Sequence, residues 1–368
     1  MASIVIVGAG VLGAALADRL ARSGWDVTLV EALTPGHLRA GSGDESRLIR
    51  CAHGQDVLHT GMARRALDLW RDLDERLVVQ AGVVWLARRD DGWEAASERV
   101  LRESGVPVER VDPAALYPSV RTDDLAFALL EPQAGVLHAR RAVQALVARA
   151  MAAGARLVTA VAKPDGDRVA LDTGQVLEAD RVVWACGAWL PRLFAGDGVL
   201  DLRITQQDVF YFGAGAAWAT PGVPAWVDYD GAAYGLGDLD GRGFKLAPDV
   251  EGPPFDPQTG ERVPRPEHER FARDYLAHRF PALAAAPLIG TRVCQYELTA
   301  DTRFVVAAHP GHDGRVWILG GGSGHAFKHG PALAEDLERW LGGAAPEACF
   351  ALGPRAVDVK LRTAGSTR

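Results

Sequence analysis

Several residues of the sequence could do more than pack. One is a lone cysteine, Cys294, in the stretch TRVCQYELTADTRF, with Tyr296 two residues on and Asp301 seven residues on. A cysteine is either small apolar filler or, as a thiolate, a nucleophile, and the residue alone leaves both open. The other cysteines, Cys51, Cys186 and Cys349, stand at no metal-site spacing from it and are expected to be inert. A second candidate is the arginine pair Arg47 and Arg50 in DESRLIR. A planar guanidinium suits a carboxylate. If the segment is extended, the spacing sends the two side chains to opposite faces and so to different tasks.

The third candidate is the glycine series Gly8, Gly10 and Gly13. This is the G-x-G-x-x-G spacing: the first glycine permits a tight turn, the second lets backbone approach a pyrophosphate, and the third lets a helix pack close to a strand. Its setting agrees. Ile4 to Val7 reads as a strand covered on both faces, a helix follows, and a second strand ends at Glu31, where a carboxylate can take ribose hydroxyls. Unpaired N–H groups and the partial positive charge of the helix start suit the bridging phosphates. The acid favours an unphosphorylated adenosine ribose without separating FAD from NAD.

Two later segments read as returns to this nucleotide domain. In the first, strands flank the turn PDGD and the chain enters an apolar strand, Val182 to Ala185, ending at Gly187. In the second, a strand from Val316 to Leu319 runs into Gly320 to Gly322, and a helix follows with Pro331 near its first turn. A glycine-rich strand-to-helix turn offers a second helix N-terminus to the same ligand, suited to the pyrimidine edge of a flavin that becomes anionic on reduction. The expected organisation is a discontinuous FAD-binding domain (1–80, 136–200 and 291–368) and a strand-rich substrate domain inserted twice (81–135 and 201–290). The tail VKLRTAGSTR is expected to be frayed.

Composition narrows the function classes. A chain of 368 residues, 48% hydrophobic and 24% charged, is that of a soluble globular protein of two domains or one large composite. A net charge of −7 without a basic cluster argues against a nucleic-acid partner. No run of about 20 uncharged apolar residues is present, so no membrane span is expected. The start MASIVIVGAG has no basic segment ahead of its apolar run and does not read as a signal peptide. Unpatterned cysteines point to a reducing compartment, and a cytoplasmic location is the expectation.

The N-terminal glycine motif, GSGDESRLIR, GFKL, CQYELTAD and GSGHAFKHG occur in the order and spacing of monomeric sarcosine oxidase and N-methyltryptophan oxidase. Over nearly its whole length the chain resembles these members of the D-amino-acid-oxidase-like flavoenzymes. The resemblance implies a Rossmann-like α/β FAD-binding domain with an inserted antiparallel-sheet (α+β) substrate domain, in a monomer without a metal. It implies FAD held through a thioether from Cys294 to the flavin 8-methyl group, with Gly187, Gly322, Gly324 and His325 among the cofactor contacts. It implies that Arg50 and Lys328 grip the substrate carboxylate, that Arg47 lies by the flavin ring, and that Lys245 promotes reaction with O2. Tyr234 and Tyr296 match aromatics lining the family's substrate cavity.

Two departures bear on the substrate. In sarcosine oxidase a histidine stands four residues after the oxygen-activating lysine, where this chain has Asp249. The two histidines preceding the arginine segment there are missing here. Asp249 either greets a cationic group on a larger amino acid or is a solvated loop acid. The expected activity is oxidation of a secondary or N-substituted amino acid to an imine that hydrolyses, with O2 reduced to H2O2. The alternatives are a dehydrogenase on the same fold using another electron acceptor, and an oxidase of cyclic imino acids or primary amino acids.

Overall fold

The computed structural model describes residues 1–357, so the expected frayed tail lies outside the described residues. The chain opens as strand, glycine turn, helix and strand: Ser3–Val7, Val11–Arg22 and Asp26–Glu31. Ile4 and Ile6 pack into one core while Val5 and Val7 pack into another on the opposite face. This period-two division needs apolar residues at every position and explains the uninterrupted β-branched run. The strand lies parallel to Asp26–Glu31 on one side and to Arg181–Trp184 on the other.

The resulting six-stranded sheet has the order Val305–Ala308, Val316–Gly320, Arg181–Trp184, Ser3–Val7, Asp26–Glu31, Arg156–Thr159. Only the Val305–Ala308 edge is antiparallel to its neighbour. The helices Val11–Arg22, Val57–Leu73, Ala139–Ala152 and Gly330–Leu341 supply one core. Of the two expected returns, Arg181–Trp184 and Val316–Gly320 are strands of this sheet, whereas the strands flanking PDGD, Ala162–Asp165 and Arg168–Leu171, belong to a separate three-stranded sheet.

A second sheet of eight strands runs Leu288–Leu298, Arg203–Phe212, Phe244–Pro248, Ala233–Leu236, Ala225–Asp228, Val83–Ala87, Phe127–Glu131, Glu109–Arg110. It is antiparallel except where Ala225–Asp228 meets Val83–Ala87. That parallel pair joins the two polar segments, 81–135 and 201–290, into a single sheet. The strand Leu288–Leu298 pairs along its length with Arg203–Phe212, so the expected boundary between residues 290 and 291 falls inside it. Cys294 therefore sits on the second sheet, opposite Gln207. No helix among the described residues is long and apolar enough to cross a membrane.

Candidate active site

Between the two sheets lies a cavity of about 660 Å³, within the range of ligand pockets and large for an amino acid alone. It runs from Gly8, Gly10 and Glu31 to Arg50, Lys245 and Lys328. Arg47, Gly187, Tyr234, Asp249, Cys294, Tyr296, Gly322, Gly324 and His325 also line it. Of the residues expected at the site, only Gly13 does not, and it acts one layer behind. A side chain there would run into the carbonyl of Gly8, so the helix could not approach the turn. Gly8 has φ +102, and a methyl group on it would lie 2.5 Å from the Ala185 carbonyl oxygen. Both are close-approach glycines, as a turn cradling a pyrophosphate requires.

Glu31 stands at the expected strand end, where its carboxylate accepts from the N–H groups of Ala9 (2.8 Å) and Leu33 (3.0 Å). These bonds fix its orientation and leave lone pairs for ribose hydroxyls. The N–H of Val11 donates to the Ser42 hydroxyl at 3.0 Å, a tie that sequence reasoning missed. The second glycine turn departs from expectation. The helix after it begins at Gly330, behind a 3-10 turn at Phe327–His329, so Gly320 to Gly322 is not itself a helix N-terminus. The Gly322 N–H donates instead to Glu297 at 3.2 Å.

Arg47 lies on the strand Ser46–Ile49 and Arg50 one residue beyond it; both line the cavity, with different neighbours. Arg47 donates to the carbonyls of Gly41 (2.6 Å) and Ser46 (2.7 Å) and to Asp44 at 3.2 Å. Arg50 is buried, donates to the Ala52 carbonyl, and lies 4.8 Å over Trp85 and 6.0 Å from Trp93. Its turn is held by Glu131, which accepts from the N–H groups of Cys51 (2.7 Å) and Ala52 (3.3 Å) and from the Trp85 indole (2.8 Å). Burial pushes the Glu131 carboxyl up, against the pull of these donors.

Lys245 and Lys328 are each only 3% exposed. Lys328 donates to the His325 carbonyl at 2.9 Å, and the His325 ring meets the Thr302 carbonyl at 2.7 Å. Lys245 donates to Asp44 at 2.5 Å and to the Ser46 hydroxyl at 3.1 Å. Asp44 was not singled out from the sequence. Burial alone would raise its carboxyl, but Lys245 and then Arg47 hold it well below the usual carboxylate range. One compositional signal was available: Lys163, Lys245, Lys328 and Lys360 are the only lysines in an arginine-rich chain. Two of these four are buried in this cavity.

Cys294 is half-buried, its sulfur 3.8 Å from the Gly41 carbonyl. Arg47, Lys245 and Cys294 all line the same cavity. Cys186 also lines the cavity, but its thiol donates to the Val7 carbonyl at 3.4 Å and burial pushes it up. Cys51 is held up the same way, by burial and then by Glu131. Thr299 and Asp301 of the cysteine motif serve a turn: Thr299 donates to the Arg303 carbonyl at 2.7 Å, and Asp301 accepts the Arg303 N–H at 3.0 Å. Asp249 is 6% exposed, so it is not a solvated loop acid. Tyr234 and Tyr296 meet hydroxyl to hydroxyl at 3.3 Å.

Among the described residues, ring nitrogens of His53, His325 and His329 lie within 4.8 Å of one another. Burial, and after it the charge of Lys328, holds His53 and His329 well below the ordinary histidine range, with Arg50 acting in the same direction. Two fixed cations beside the cluster oppose a metal ion.

Residues 3–340 match the family model described as "DAO: FAD dependent oxidoreductase". The chain belongs to this FAD-dependent family. Its fold is therefore a Rossmann-like FAD-binding domain joined to a sheet domain. The flavoenzyme is 28% identical over 357 residues to a monomeric sarcosine oxidase of Bacillus sp. (strain B-0618), covering 91% of each chain. It is 29% identical over 353 residues to an N-methyl-L-tryptophan oxidase of Salmonella arizonae, covering 90% of this chain and 92% of the relative. The structure of L-proline dehydrogenase from P. horikoshii superposes with a TM-score of 0.83 at 20% identity, over 95% of each chain, which shows a common fold. The residues lining the cavity fit a dinucleotide. Close-approach glycines and the Glu31 carboxylate line the cavity together with the half-buried Cys294 thiol and the cationic side chains of Arg47 and Lys245.

Proposed function

We propose that this flavoenzyme oxidises the CH–NH bond of a secondary, N-methyl-type amino acid and passes the electrons to O2. The observation that carries the reading is the meeting of Cys294, Arg50, Lys328 and Lys245 in the cavity that begins at the glycine turn. The relatives named for sarcosine and N-methyltryptophan oxidation support the same reaction class.

FAD supplies the hydride acceptor and, once reduced, the electrons for oxygen. The chain's own residues bind and orient. Arg50, locked over Trp85, and Lys328, tied to the His325 carbonyl, anchor the substrate carboxylate and so fix the carbon that bears the amine. The amine loses two electrons and two protons to become an imine, which water hydrolyses. No general base is needed if binding favours the neutral amine. Asp44, ionised and surrounded by donors, is unsuited to that role. O2 takes up the two electrons with two protons to give H2O2, and the Lys245 ammonium stabilises the negative charge that develops first. Cys294 would hold FAD through a thioether to its 8-methyl carbon, the two electrons and two protons given up in forming that bond passing to O2. Buried Asp249 favours a substrate larger than sarcosine, with a second cationic group. A monomer in the cytoplasm completes the reading.

A screen of N-methyl and cyclic amino acids for peroxide release tests the reaction class. Turnover only with an artificial acceptor, with no oxygen uptake, would refute oxidase activity. Acid precipitation should leave the yellow colour on wild-type protein and release it from Cys294→Ala; colour left wholly in solution by wild type would rule out the thioether.

A further inference from the structure

Lys245 lies under opposing forces. Together they leave it below the ordinary lysine range: burial, and the nearby Arg47 charge, favour its neutral amine, while Asp44 favours the ammonium. Only the ammonium can stabilise an anion. Lys245, on the strand Phe244–Pro248, faces Asp44 and Arg47 from the segment entering the strand Ser46–Ile49. It also faces Cys294 from Leu288–Leu298, and Tyr211 from Arg203–Phe212 with its ring centroid 5.7 Å away.

Asp44 is built to stay ionised. One oxygen accepts from the Tyr211 hydroxyl at 2.8 Å and the Glu45 N–H at 2.8 Å. The other accepts from Lys245 at 2.5 Å and Arg47 at 3.2 Å. These donors occupy the lone-pair sites of a carboxylate, so Asp44 is spoken for as an acceptor and fixed in direction. Lys245 is held on its other side by the hydroxyl and carbonyl of Ser46, at 3.1 and 3.2 Å.

We propose that Asp44 is the positioning residue for the oxygen reaction: it keeps Lys245 charged and fixed at the cavity wall, and through Lys245 it sets how fast the reduced enzyme reacts with O2. This rests on the role given to Lys245 above. Removing an opposite charge at contact distance shifts a partner's titration by about 1–3 units. With Asp44 neutral, Lys245 therefore loses its proton at lower pH.

The holoenzyme is reduced by substrate without air, then mixed with O2 across a pH series. Lys245→Met should slow reoxidation and spare reduction; if reoxidation is unchanged, the reading of Lys245 fails and this proposal with it. Given that slowing, Asp44→Asn should move the alkaline limb of reoxidation down by about 1–3 pH units, so that the loss of rate grows with pH beyond whatever uniform loss the looser hold on Lys245 brings. Asp44→Asn combined with Lys245→Met should be no slower than Lys245→Met alone. An unmoved limb, or equal slowing at every pH, would overturn the role of Asp44 while leaving that of Lys245 intact.

Should Asp44→Asn fail to fold, wild type still answers. With ε-15N-lysine the chain gives at most four side-chain signals. The Lys245 signal, identified by its loss in Lys245→Met, should report an ammonium at pH 8. A neutral amine there would overturn the proposal.

Discussion

Replacing Glu94 with glutamine should stabilise the protein at alkaline pH and do little at acid pH. Glu94 lies in the first turn of the helix Trp93–Glu103, fully buried, its carboxylate weakly held by backbone N–H groups alone. Burial is the main reason that its carboxyl is pushed from the usual 4.5 up to about 7, with Asp230 and Asp228 adding repulsion. A group displaced upward on folding binds more protons in the folded state than in the unfolded one. Its contribution is fully present below pH 4.5 and is lost as pH rises through 7. The displacement is worth about 3 kcal/mol of stability by pH 8. Glutamine has the same shape and no charge to bury, so it escapes this loss. The assay is thermal unfolding of wild type and Glu94→Gln from pH 5 to pH 8.5. The gap between the two should widen from acid to alkaline pH by roughly 3 °C. Parallel Tm curves across that range would refute the reasoning, because a constant offset reports packing and not ionisation.

Glu131→Gln leaves one carbonyl oxygen facing three donors. Loosening the Arg50 turn should raise KM for the carboxylate substrate about tenfold, or about 1.4 kcal/mol, with a smaller change in kcat. Steady-state kinetics on folded variant would show otherwise if KM did not move. Gly324 has φ +76, and a methyl group on it would fall 2.5 Å from the Tyr296 ring. Gly324→Ala should therefore displace Tyr296 and lower kcat/KM by about tenfold or more in a protein that still binds flavin, the two being compared by kinetics and visible absorbance.

The parts of the molecule legible in the sequence were those whose signals are contiguous. The strand, glycine turn, helix and acid of residues 3–31 all bear on a single ligand within one βαβ unit, so each element confirmed the others. Beyond the glycine turn and its acid, the cavity residues were found through the resemblance to the sarcosine oxidases, and the structure gathers them around one space. Long-range partners were not legible. Asp44 meets a lysine 201 residues away, and Glu131 meets the Cys51 N–H across 80. Acids are common on surfaces, and nothing local marks one that will be buried under four donors. Asp249 read equally as loop or pocket until the strand Phe244–Pro248 carried it inward.

The scarcity of lysine has a practical side. Lys163 is exposed, whereas Lys245 and Lys328 are sealed in the cavity wall. A bulky amine-reactive dye or a solid support can therefore be attached through Lys163 without touching the catalytic chamber. A reagent small enough to enter the cavity meets two lysine nitrogens there and acylates whichever gives up its proton in alkaline buffer. Size-graded acylating agents would thus measure the width of the entrance: the largest reagent that still abolishes turnover gives the aperture, and protection by a carboxylate ligand tells which lysine it reached.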